Sequence, residues 1–138
     1  MHQRVLISGF ILHEGKVLLL KRGEKGFLAN HWELPGGKLE HGEDPICGVL
    51  REVQEEAGIL CDVIRPYHAW HAVNDYKGEP THFVEIDFLL ALKPGQRVTP
   101  ADGMTAYAWV GKEELDQHLM TPQMRKAIQE GFAASKNN

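Results

Sequence analysis

At 138 residues and 43% hydrophobic, the chain is long enough for one domain with a sizeable core and too short for two ordinary ones. Its net charge of −4 and isoelectric point near 6.0 offer no global attraction to nucleic acid or to an anionic membrane, so positive charge for an anionic ligand must be local. Its two cysteines, Cys47 and Cys61, stand in no metal-ligand spacing and read as free thiols of a reducing compartment.

Taken in chain order, residues 4–13 and 16–22 read as two strands joined by a tight turn at Glu14-Gly15. The apolar run 5–12 within the first is broken by Ser8 and Gly9 and lacks a cleavage pattern, so it reads as neither a signal peptide nor a membrane span. A cytoplasmic protein is expected. Residues 23–31 form a polar loop, and 32–34 a short strand that leads into a glycine turn at Gly36-Gly37, where paired glycines permit positive φ and close backbone approach.

Asp44 followed by Pro45 reads as an N-cap with proline in the first helical position, and Gly58 as the residue just past the end, so a helix is expected over 45–57. At roughly 100° per residue, Ile46, Val49, Leu50, Val53 and Ala57 fall in one stripe, with Glu52, Glu55 and Glu56 roughly opposite. Residues 61–73 and 81–92 are long strand candidates flanking the turn-rich NDYKGEP and should pair antiparallel. In the second, Val84, Ile86, Phe88, Leu90 and Leu92 make one apolar face, while Phe83, Glu85, Asp87 and Leu89 point the other way. A strand at 107–110, a short helix at 112–119 and a last helix from Thr121-Pro122 to about 130 complete the chain, with a frayed SKNN end.

Carboxylates at i, i+3 and i+4 repel one another unless a cation lies among them. Hard oxygen ligands on one helix face suit Mg²⁺ or Mn²⁺, which keep waters and complete their shell with substrate phosphates. The helix therefore reads as a metal platform. EVQEE alone would pass for an ordinary solvated face, but Gly37, Glu43, Arg51, Glu52, Glu55, Glu56 and Gly58 occur together at fixed offsets. Such a coincidence is expected by chance on the order of once in a million or less.

That set, within GKLEHGEDPICGVLREVQEEAGI, resembles the signature of the Nudix hydrolases. The resemblance implies an α+β fold, an α/β/α sandwich with a mixed sheet covered by helices on both faces, and hydrolysis of a nucleoside diphosphate linked to a group X. It implies Glu52, Glu55 and Glu56 as ligands of Mg²⁺ or Mn²⁺, joined by the backbone carbonyl of Gly36, with Glu52 also the candidate base. Arg51, placed nearly opposite the outer edge of the carboxylate face, is expected to pair with Glu43 and orient loop against helix. Asp102, in the VTPADGM loop, is the candidate for a late acidic ligand, with Glu85 second. Arg22 and Lys38 are candidates for phosphate contacts. Gly48 departs from the small residue, commonly alanine, of the family's helix, and reads as making room for phosphate, metal or a neighbouring strand.

The eight histidines contain no zinc spacing, and His68 and His71 would face opposite sides of a strand. The expected activity is MutT-like: a pyrophosphohydrolase for a nucleoside triphosphate or modified nucleotide. Cleavage of ADP-ribose or a sugar nucleotide, or a non-catalytic nucleotide-sensing module, are the competing readings. The expected partner is a small nucleotide, with no nucleic acid or membrane, and an isologous homodimer is the base-rate assembly.

Overall fold

A computed structural model describes residues 1–137. Its elements are β1 (His2–His13), β2 (Lys16–Arg22), β3 (Trp32–Glu33), β4 (Gly36–Lys38), α1 (Pro45–Ala57), β5 (Cys61–Tyr76), β6 (Glu79–Leu92), β7 (Met104–Gly111), a 3₁₀ helix (Lys112–Gln117) and α2 (Pro122–Ser135). The strands run in the order β3-β2-β1-β6-β5, with β4 on β1 and β7 on β2. Among the described residues only the β1–β6 pair is parallel and the rest are antiparallel, so the sheet is mixed.

Period-two alternation in the central strands builds a core on each face of the sheet. Ile7, Ile11, Leu18, Leu20 and Leu90 meet Val49, Val53 and Ala57 of α1 on one side. Phe10, Val17, Leu19 and Leu89 meet Met124, Ile128 and Phe132 of α2 on the other. The expected α/β/α sandwich is therefore the observed one.

Along its second edge, β1 changes partner. Leu6–Ser8 pair with β4, whereas Leu12 and His13 pair with β2. Between the two, Gly9 N–H bonds the Pro35 carbonyl, and the sheet splits where β4 departs. This split places β4 and the polar face of α1 side by side.

Some boundaries move. Glu14-Gly15 turns as expected, with φ of 51° and 78°. Lys77-Gly78 does the same at 52° and 78°, and because those two residues suffice for a hairpin, β5 and β6 extend to Tyr76 and Glu79 through residues expected in the turn. Gly36 and Gly37 form a strand rather than a turn, and neither is left-handed. The helix expected to 119 is a 3₁₀ helix that stops at Gln117, since His118 is extended and the Leu119 carbonyl accepts from Trp32 N–H at 2.7 Å. α2 continues past 130 to bury Phe132, and beyond Ser135 the N–H groups of Lys136 and Asn137 still bond Ala133 and Ala134, leaving only Asn138 of the frayed end outside the described residues. Ile46, assigned to the buried stripe of α1, is 47% exposed.

Candidate active site

Helix α1 is fixed at both ends as its sequence requires. The Asp44 carboxylate accepts from Ile46 N–H at 2.8 Å, and Gly58 adopts φ 68°. The carbonyls of Glu56 and Ala57 accept from Ala101 and Thr99 of the loop before β7, both at 2.8 Å.

With the helix so held, its glutamates meet β4. Gly36 N–H donates to Glu56 Oε1 at 2.7 Å. A Cβ on Gly37 would lie 2.3 Å from Glu52 Oε2, and one on Gly36 would lie 2.2 Å from the Ile7 carbonyl oxygen. The glycine pair is therefore required for approach, of strand to strand at Gly36 and of carboxylate to backbone at Gly37. Gly48 answers to the same need: its Cβ would lie 2.6 Å from Ile7 Cδ1 and 2.9 Å from Glu43 Oε1, so the room is taken by β1 and the preceding loop.

Arg51 organises the outer side. Its Nε and Nη2 bond Glu43 at 2.7 and 2.9 Å, Nη2 reaches the Lys38 carbonyl at 3.1 Å, and Nη1 bonds Glu52 at 2.9 Å and Glu55 at 3.1 Å. The expected Glu43 pair is present. Arg51 is, however, a neighbour of the carboxylate face rather than its opposite, because i and i+4 are adjacent on a helix. Hydrogen bonds from Arg51 hold the Glu43 carboxyl down at about 2. A carboxyl lowered by folding stabilises the native state above its unfolded pKa, and that contribution is lost as pH falls toward 2. Glu43→Gln is thus expected to lower Tm most above pH ~4.5, with the gap to wild type closing toward pH ~2 in melts across that range; a gap independent of pH would contradict the pair.

The inner side is anionic and poorly solvated. Burial pushes Glu56 up to about 8, against the Gly36 N–H bond, with Glu33 and Glu52 as negative neighbours. Burial likewise raises Glu33, despite Arg22 Nε at 3.0 Å, and raises Glu52, despite Arg51. On β6, Glu85 and Asp87, on the face opposite Val84 and Ile86, are buried. Glu85 accepts from Trp70 Nε1 at 2.9 Å and is pushed well up by burial and by Asp87 beside it. Asp87, raised to about 6 by burial, meets His68 Nδ1 at 2.9 Å.

Among the described residues, no three acidic side chains surround a common point, since Arg51 lies between Glu52 and Glu55. The donor set nevertheless suits a divalent cation. Glu52 and Glu56 are oxygen donors raised in pKa chiefly by burial, and the backbone cradle at Gly37 admits the Glu52 carboxylate. Asp102 is exposed, and although its loop is bonded to α1, its carboxylate is joined to none of the glutamates. Arg22 is engaged by Glu33, and Lys38 lies half-buried on β4. Sequence reasoning missed Glu33; its one signal was an acid alternating with core residues directly before the glycines.

Beside the carboxylates lies a cavity of about 410 Å³, walled by Phe27, Trp32, Trp70 and Phe83, with Glu33 and Glu85 on the carboxylate side and Asn74 and Gln123 among its polar groups.

A family model described as NUDIX domain matches residues 2–131. The chain is 32% identical over 116 residues to a MutT-like protein of Streptomyces ambofaciens, covering 83% of this chain and 68% of that one. It is 26% identical over 136 residues to the nucleoside triphosphatase NudI of Escherichia fergusonii, covering 93% and 96%. The crystal structure of a MutT NUDIX hydrolase from Burkholderia pseudomallei superposes with a TM-score of 0.79 at 30% identity, over 94% of this chain and 98% of that one. Several other curated relatives are matched over only 28 to 64% of their length. The chain belongs to the Nudix family, as a hydrolase of the MutT type within its nucleotide pyrophosphohydrolases.

Proposed function

We infer that the protein hydrolyses a nucleoside triphosphate or a modified nucleotide to a monophosphate and pyrophosphate, with Mg²⁺ or Mn²⁺. The observation that carries this is the half-buried pair Glu52 and Glu56 on α1, joined to β4 by the Gly36 N–H bond, beside an aromatic-walled cavity of about 410 Å³ that Glu33 of β3 borders. A purine or pyrimidine ring fits between aromatic faces, and polar groups at the rim read its edges. The full-length likeness to a nucleoside triphosphatase supports the same substrate class.

Glu52, Glu55 and Glu56, with the Gly36 carbonyl, are the ligand set we assign; Asp102 stands outside it. A divalent ion held by these residues would supply neutralisation of phosphate charge and a more acidic water. Arg51 and Glu43 fix the loop against the helix, so that Glu52 and Glu55 keep their positions along it. Glu52, half-buried and raised in pKa, takes the proton as water adds to phosphorus and the anhydride oxygen leaves.

With Mg²⁺ and a panel of nucleotides, pyrophosphate should appear together with a nucleoside monophosphate. Glu55→Gln should lower turnover by on the order of 10²-fold without loss of fold, as expected for a positioned metal ligand on an exposed helix face. Wild-type turnover in that variant at saturating Mg²⁺ would refute the ligand set. Release of two monophosphates from ADP-ribose, with triphosphates untouched, would refute the substrate class.

A further inference from the structure

A second cavity, of about 600 Å³, lies further along the same segment and is cationic where the first is aromatic. Arg4, Lys38 and Lys77 line it, and among the described residues none of the three forms an ion pair. Of the acids on its rim, Glu43 is held by Arg51, which leaves Glu40 and the His2-bonded Glu79 against three cations. In a chain of net charge −4 this is a local reversal of sign.

The cations are gathered by the fold. Lys38 faces Leu6 across the β1–β4 pair, and Arg4 lies two residues along β1, so the two share a face as diagonal neighbours about 7–8 Å apart. The Arg4 guanidinium lies 4.8 Å from the Tyr76 ring centroid, and the Lys77 ammonium lies 5.3 Å from the same centroid. Two positive groups on one ring repel each other and gain from an anion placed near both.

The segment from Glu33 to Glu43 passes the three regions in order. Glu33 borders the aromatic cavity, Gly36 and Gly37 touch Glu56 and Glu52, and residues 38–43 line the cationic cavity. A molecule laid along it presents its middle to the glutamates.

We propose that the cationic cavity binds phosphates beyond the bond that is cut, so that X is itself a phosphate chain and nucleotides with more than three phosphates are the better substrates. This rests on the glutamates being the hydrolytic site. Arg4 and Lys77 are binding residues in this scheme and touch no reacting atom.

The test has two arms. Metal-free protein is titrated with inorganic tripolyphosphate by calorimetry, and kcat/KM is measured for adenosine tetraphosphate and adenosine triphosphate with Mg²⁺. In the double variant R4Q/K77N, tripolyphosphate affinity and the tetraphosphate-to-triphosphate ratio should each fall about tenfold, as loss of a charge-assisted contact implies. Lys126→Gln, which removes an exposed cation on α2, should change neither. Lys77 is exposed in a turn at φ 52°, a conformation asparagine adopts readily, so K77N alone keeps the test open should Arg4→Gln unfold. Unchanged tripolyphosphate affinity or an unchanged ratio overturns the proposal. Binding that depends on Arg4 and Lys77, in a protein that hydrolyses neither nucleotide, upholds the anion site and overturns the hydrolytic reading instead.

Discussion

Glu56→Gln is expected to lower turnover by at least about 10²-fold and, in the metal-free protein, to raise stability at alkaline pH. Glutamine still accepts from Gly36 N–H, so the contact between α1 and β4 survives. What disappears is a carboxyl whose native pKa of about 8, set by burial, lies far above its ordinary 4.5. Between those values the native state binds more protons than the unfolded chain, so wild-type stability declines as pH rises through that window and levels off above it. The variant lacks this decline. Its advantage should be near zero at pH ~5 and grow to about 2 to 4 kcal/mol above pH ~8. Glu85 and Asp87, also raised, are present in both proteins and cancel in the difference. Denaturant unfolding of metal-free wild type and variant at several pH values measures it; parallel pH profiles would mean that Glu56 is ionised throughout. Because a ligand must be ionised, Mn²⁺ affinity of the wild type should strengthen with pH toward 8.

The second large effect is expected at Gly37→Ala. The new Cβ falls 2.3 Å from Glu52 Oε2 and 2.6 Å from its Cδ, which is the movable end of a side chain. The protein should fold, at a cost of about 1 to 2 kcal/mol, by turning the carboxylate away. Turning it away breaks the 2.9 Å bond from Arg51 and moves the group assigned to take the proton. Turnover should therefore fall by on the order of 10²-fold, as a misplacement of about 1 Å at reacting groups does. Gly36→Ala gives the contrast, since its Cβ meets the Ile7 carbonyl at 2.2 Å and Ser8 Cα at 2.7 Å, backbone that cannot swing aside. The first variant should lose kcat with only a modest fall in Tm, and the second should lose far more Tm. Wild-type kcat in well-folded Gly37→Ala would remove Glu52 from its proposed position.

These contrasts also mark where the sequence was legible. Helix α1 could be bounded to the residue, because Asp44, Pro45 and Gly58 act locally on capping and on φ. The glycine pair was read as serving positive φ and close approach, and the structure uses the second alone. Its partners, Ile7 and Glu52, are contacts remote in sequence, so a local reading can expect close approach without naming what approaches. On β6 the alternation was legible, but not the burial of its acidic face. Which face is covered there depends on neighbours far along the chain, and at this point Glu85 and Asp87 point into buried surroundings made by Trp70 and His68. Arg51 shows the same division: its bond to Glu43 follows from the signature, whereas its hold on Glu52 and Glu55 depends on a rotamer that helix spacing only permits.

The two helices rest on opposite faces of one sheet, each with its own apolar cluster. The first turn of α2, Thr121 to Met124, contributes to the wall of the aromatic cavity, whereas the glutamates ride on α1. Mutational drift in that wall can reshape what the cavity admits while the glutamates assigned as metal ligands stay untouched behind the strands. An architecture partitioned this way lets a lineage change diet without relearning how to chew.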